Sequence, residues 1–175
     1  MLVGIVIAVT LMVQDTSTAA RRDTTPPAPP TPTIEQIRYM DGLKTVARGI
    51  AQIRNGVDRV ERTQQSGDSV TRRRAARRLG GLCGTARSFI ASGRPRMQPG
   101  AYADSLKILA KQLTVRLDSL TGALPACERT AGRDPATVTT TLTARLKNFD
   151  DALLAFRTAL AAANKPDSAK TQAIQ

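Results

Sequence analysis

Histidine is absent from this 175-residue chain, and tryptophan is absent too. The first absence removes the usual general base near neutral pH, the commonest metal ligand and the proximal ligand of most haems. No Ser-His-Asp or Cys-His-Asn arrangement can be assembled, so catalysis ranks well below a binding or structural role. Aromatic residues are scarce as well, with two Tyr and three Phe making 3% of the chain. A hydrophobic content of 41% still supports a core, but one built from Leu, Ile, Val and Ala. That composition favours helices packed by aliphatic ridges over a β-sandwich. No catalytic residue, cofactor site or metal site is expected.

Negative charge is also in short supply. Against 14 acidic residues stand 26 Lys and Arg, a formal charge of +12 and a pI near 11.0. Such an excess attracts polyanions in a salt-sensitive way: lipid head groups, envelope polymers or nucleic acid.

Leu2 to Val13 carry no charge. As a helix they span roughly 18 Å, short of the ~30 Å hydrocarbon core. That length suits the apolar region of a signal peptide. Small residues at Ser17 and Ala19, or Thr18 and Ala20, fit a cleavage site. No Lys or Arg precedes the apolar run, which a start codon called too late would explain, and Arg21 and Arg22 follow it directly, where positive charge hinders export. The rival reading is an uncleaved anchor through residues 2–13, set against the apolar length and the small residues that fit cleavage. Residues 1–20 are therefore read as the signal segment. Residues 21–33 form a linker, in which Asp23 to Thr33 hold five prolines. Proline fixes φ and removes donors, so this stretch favours extended polyproline II and acts as a spacer.

From Ile34 the periodicity turns helical. Thr33 followed by Gln36 makes a capping box. Tyr39, Leu43, Val46, Ile50, Ile53, Val57 and Val60 then recur at alternating spacings of four and three, the seam of a bundle helix running to about Gln65. Gly42, Gly49 and Gly56 repeat every seven residues beside that seam. Each costs about 1 kcal/mol relative to Ala in a helix interior. Their register predicts a groove where a neighbouring backbone comes close. A second helix is capped by Asp68 or Ser69, with a seam of Ala75, Leu79, Leu82, Ala86 and Phe89, Cys83 and Ile90 beside it, and a stop at Gly93 and Pro95. The third runs from about Ala101 to Ala123, where Gly122 and Pro125 halt it. Asp134 and Pro135 open the fourth, whose seam runs from Val138 to Leu160 before Asn164 and Pro166. Residues 165–175 read as a disordered tail. The expected fold is all-α: residues 34–164 as an antiparallel, up-down-up-down four-helix bundle. The alternative is a helical hairpin that self-associates through its seams.

Cys83 and Cys127 are the only cysteines, and an even count in an exported protein points to a disulfide. Straight antiparallel helices would place Cys127 opposite the start of the second helix, roughly 21 Å from Cys83. Bonding needs Cα atoms within about 7 Å. The pairing thus predicts either a connection that folds back along the bundle or a second helix that breaks near Gly80 and Gly81.

Arg72, Arg73, Arg74, Arg77 and Arg78 crowd into seven positions, and no acidic residue occurs from Ser69 through Ala103. On a helix they make a cationic face whose like charges repel at i, i+4. Either carboxylates such as Asp58, Glu61 and Asp118 offset this, or an external anion does, foremost a membrane surface or envelope polymer. No DNA-binding motif or aromatic stacking platform accompanies the charge, so specific nucleic-acid binding is not expected. Asp150 and Asp151 point in different directions on a helix and do not read as a catalytic pair. The function expected is a non-enzymatic, exported binding or structural module of the cell envelope with a basic surface. The alternative is a cytoplasmic, basic, nucleic-acid-associated protein whose apolar N-terminus is not a signal.

Overall fold

The computed structural model describes residues 31–164. The expected signal segment, nearly all of the linker and the tail from residue 165 lie outside the described residues. Four α-helices follow in order: α1 (Ile34–Ser66), α2 (Ser69–Gly93), α3 (Asp104–Thr130) and α4 (Pro135–Ala163). Two short 3₁₀ turns, Arg94–Arg96 and Pro99–Ala101, join α2 to α3. The described residues contain no strand. The all-helical expectation and its count of four helices hold.

Three of the helix starts follow the sequence signals. Thr33 Oγ1 accepts from the Gln36 N–H at 3.3 Å while Gln36 Oε1 accepts from the Thr33 N–H at 3.0 Å, a closed capping box. Asp68 Oδ1 accepts from the N–H groups of Val70 and Thr71 at 2.7 and 2.8 Å. Asp134 Oδ1 accepts from the Thr137 N–H at 3.2 Å, with Pro135 in the first turn, where its missing N–H costs nothing. The fourth start departs from expectation. Pro99 to Ala101 form their own turn, and α3 begins at Asp104 without a side-chain cap.

The seam of α1 is buried throughout, from Tyr39 to Val60. Beside it the heptad glycines do what their spacing predicts. A Cβ on Gly49 would stand 2.8 Å from the Ala86 carbonyl oxygen, and one on Gly56 would stand 2.7 Å from a Leu79 methyl carbon. The backbone of α2 lies in the groove these glycines open. This close approach also turns α2: the buried stripe is Leu79, Cys83, Ala86 and Ile90, while Leu82 and Phe89, expected in the seam, are half-buried. They lean over the glycines instead, Leu82 at Gly56 and Phe89 at Gly49.

α2 is continuous through Gly80 and Gly81, which removes the break, one of the two alternatives drawn from the cysteine pair. Two departures elsewhere reconcile a straight helix with the cysteine pair. First, α3 does not stop at Pro125 but continues to Thr130 with the proline inside it. An interior proline costs roughly 3 kcal/mol, and what offsets it is burial of Leu124, Cys127 and Ala131 on the continued face. Second, residues 94–103 do not turn straight back. Met97 is fully buried beside Gly42, and Tyr102 packs its ring edge-on against Tyr39 with centroids 5.1 Å apart. The connection thus covers the first turns of α1, and α3 starts beyond the end of α2. Arg94, just past α2, consequently meets Asp118 halfway along α3, and Cys83 meets Cys127 near its end.

The core is aliphatic along most of its length. At one end Tyr39, Tyr102 and Phe156 form a triangle with centroid separations of 5.1, 5.5 and 5.2 Å. Four of the five aromatic residues are buried, so the chain spends its few large rings on this core rather than on a surface.

Candidate functional site

Gly80 faces the backbone of Glu128 near the end of α3, and the Arg77 side chain reaches the Gly132 turn beyond it, so the segment from Ser69 to Arg78 runs on past the end of α3. This is the segment that carries the arginines. Arg72, Arg73, Arg74, Arg77 and Arg78 are all exposed, while Ala75, Ala76 and Leu79 between them are buried. None of the five makes an ion pair with a described residue. The carboxylates expected to offset them are not engaged with them: Asp118 forks onto Arg94, receiving Nε at 2.7 Å and Nη2 at 2.9 Å. No ion pair reaches the arginines from Asp58 or Glu61 either. Nearby Glu128 takes Arg87 instead, at 2.9 Å.

The five do not form one face. At about 100° per residue, Arg72 falls on the side of Leu79, away from Arg74 and Arg77. Arg73, Arg74 and Arg77 fall together with Val70 at i, i+3, i+4 and i+7, and these four line a shallow concavity of about 330 Å³. Arg78 borders that stripe, and the Arg77 side chain continues over the Gly132 turn. Val70 is 63% exposed, an apolar residue standing free among three guanidinium groups. Its place in the stripe follows from the spacing Val70-Arg73-Arg74-Arg77; attention to charge alone passes over it.

The one carboxylate adjacent to this stripe, Asp68, is already committed. Hydrogen bonds from the Thr71 N–H, the Thr71 hydroxyl and the Val70 N–H hold its carboxyl below the ordinary value of 3.8. Positive charge in the first turns of a helix also opposes the helix dipole, and α2 has no acidic residue in its first turn to balance it. The arrangement concentrates positive potential, against which the N-cap carboxylate of Asp68 sets one negative charge.

Cys83 and Cys127 are joined, with Cα atoms 6.2 Å apart and both side chains buried. Their sulfurs stitch α2 to α3 and are shielded from solvent, so the pair is structural. Asp150 and Asp151 hold separate cations, Arg54 on α1 and Lys147 one turn back on α4. Among the described residues no three His, Cys, Asp or Glu side chains gather as a metal site. No described helix is long and apolar enough to cross a membrane. A concavity of about 610 Å³ lies between the start of α1 and the end of α4, lined by Ile37, Met40, Tyr102, Leu106 and Leu160. Comparison with protein-family models, with curated proteins and with solved structures found no match to this chain.

Proposed function

We propose that this chain is a non-enzymatic, exported helical module that binds a polyanionic surface of the cell envelope through α2. The observation that carries the reading is the stripe Arg73, Arg74 and Arg77, exposed, in no ion pair with a described residue and placed on a segment that runs past the end of α3. A polyanion that releases counterions on binding supplies the missing negative charge. The Cys83–Cys127 bond supports export, since such bonds persist in oxidising compartments. The proline-rich stretch acts as a spacer between an N-terminal signal or anchor and the helical domain.

The arrangement of the domain in this proposal is an up-down-up-down bundle. Supporting it, Gly42 lies by Gly93 and Gly56 by Leu79, Arg94 pairs with Asp118 and Cys83 with Cys127, and Arg145 donates to Ser119. In each pair of successive helices, later residues of one meet earlier residues of the next.

Two measurements test the function. Co-sedimentation of the full chain with anionic vesicles and with cell-wall polymer, at low and high salt, is expected to show binding that falls steeply as salt rises; salt-insensitive or absent binding to both sinks the reading. The intact mass of protein from its native host is expected to show loss of about twenty residues and two thiol protons. A full-length chain with free thiols and affinity for nucleic acid would favour the cytoplasmic alternative.

A further inference from the structure

The arginine stripe has a chemistry narrower than general attraction to polyanions. Three guanidinium groups surround one concavity, and each presents a planar fork of donors that matches the oxygens of a phosphate rather than a diffuse charge. The fourth lining residue is not polar. Val70 stands 63% exposed at one end of the stripe, where a soluble anion would leave it in water. Phosphate beside aliphatic carbon is the composition of a phospholipid at the level where headgroup meets acyl chain. The projecting segment Ser69–Arg78 can reach such a surface without α3 touching it.

We infer that Val70, Arg73, Arg74 and Arg77 form a docking site for the phosphate groups of an anionic phospholipid membrane, with Val70 entering the headgroup–acyl boundary. This rests on the anionic-surface reading above and names its partner. Arg72 lies outside the site because it projects from the other side of α2.

Full-length protein is titrated with vesicles of phosphatidylcholine containing phosphatidylglycerol, and the partition coefficient is read by co-sedimentation. A basic residue near an anionic surface contributes a factor of about five, so the triple variant R73Q/R74Q/R77Q is expected to bind about a hundredfold more weakly. A control removes the same amount of charge elsewhere, R72Q/R129Q/R133Q, at three exposed positions, and is expected to lose less than about tenfold. V70T, isosteric and uncharged, is expected to weaken binding with its salt dependence unchanged. Helicity by circular dichroism confirms that each variant is folded, as all substituted side chains are solvent-facing. Equal losses in the two triple variants overturn the site while leaving the basic-surface function standing. Equal binding to vesicles charged by oleate instead of phosphatidylglycerol overturns the phosphate assignment. Tighter binding to duplex DNA or to cell-wall polymer than to the vesicles overturns the lipid assignment. Absence of salt-sensitive binding to any of these probes removes both the site and the function it rests on.

Discussion

A Cβ placed on Gly42 would stand 2.7 Å from the carbonyl oxygen of Gly93, and a Cβ on Gly93 would stand 2.6 Å from the carbonyl oxygen of Gly42. The two glycines face each other at the crossing of α1 and α2, and neither backbone has room to withdraw without lifting the Tyr39 to Val60 seam.

That reciprocity predicts opposite outcomes for the same substitution at different glycines. Gly42→Ala and Gly93→Ala each overpack a backbone contact and are expected to destabilise by about 1–3 kcal/mol. Gly81 and Gly122 lie inside helices, and a methyl group added at either would meet nothing within 4 Å. Gly81→Ala and Gly122→Ala are expected to stabilise by about 0.5–1 kcal/mol through helix propensity. Urea midpoints of the four variants check this; a stabilised Gly42→Ala would remove the argument for close approach.

The disulfide joins positions 44 apart in sequence. Loop-closure entropy for that separation gives about 4 kcal/mol, so Cys83→Ala/Cys127→Ala is expected to lose roughly that much. Both cysteines are buried, so the oxidised protein is expected to resist dithiothreitol under native conditions and to reduce only as urea opens the fold. Alkylation followed by mass measurement across a urea series reads this directly. Rapid reduction of the folded protein would contradict the shielding.

How much of this was legible in the sequence depends on whether the signal was local. Caps at Thr33, Asp68 and Asp134, the α1 seam and the glycine heptads were legible because each is decided within one helix or by a repeat along it. The stop expected at Pro125 failed because a local preference met a tertiary demand, the burial of Leu124, Cys127 and Ala131. The seam expected through Leu82 and Phe89 failed because the α1 glycines draw α2 inward and rotate its buried face. For the arginine run, the sequence carried the charge but not its division into Arg72 on one side and Arg73, Arg74 and Arg77 on the other. Its exposure follows from the offset of α2 against α3, which is set by how residues 94–103 cover α1 and is a long-range property.

The two tyrosines of the aromatic triangle differ in what their hydroxyls find. Tyr39 Oη donates to the Ala110 carbonyl oxygen at 3.4 Å, whereas the Tyr102 hydroxyl is buried with no partner among the described residues. Tyr39→Phe is expected to cost up to about 1 kcal/mol, and Tyr102→Phe to be neutral or stabilising, since it removes an unpaired buried group. Burial raises the pKa of both, further for Tyr39, where the nearby Tyr102 adds to the effect. The folded state thus holds these protons more tightly than the unfolded chain, so stability is complete below the ordinary value near 10 and falls as pH rises above it. With no tryptophan and no other tyrosine, absorbance at 295 nm follows both groups. Ionisation is expected only together with loss of helicity; free titration near pH 10 would contradict the burial.

At the acid end the sign reverses, and the groups responsible are the two helix caps. Hydrogen bonds from Thr71 hold the Asp68 carboxyl below its ordinary value of 3.8, and hydrogen bonds from Thr137 lower that of Asp134 in the same way. As pH falls, the unfolded chain takes up these protons first, so the caps contribute fully above pH of about 4 and their contribution is lost as pH drops through the lower folded values. Asparagine caps nearly as well as aspartate but does not titrate in this range. Asp68→Asn/Asp134→Asn is therefore expected to leave the urea midpoint at pH 7 little changed and to flatten its decline below pH of about 4. An unchanged decline would place the acid sensitivity outside the two caps. The substitution at Asp68 also removes a negative charge close to Val70 in the sequence, so Asp68→Asn alone is expected to bind phosphatidylglycerol vesicles more tightly than the parent chain.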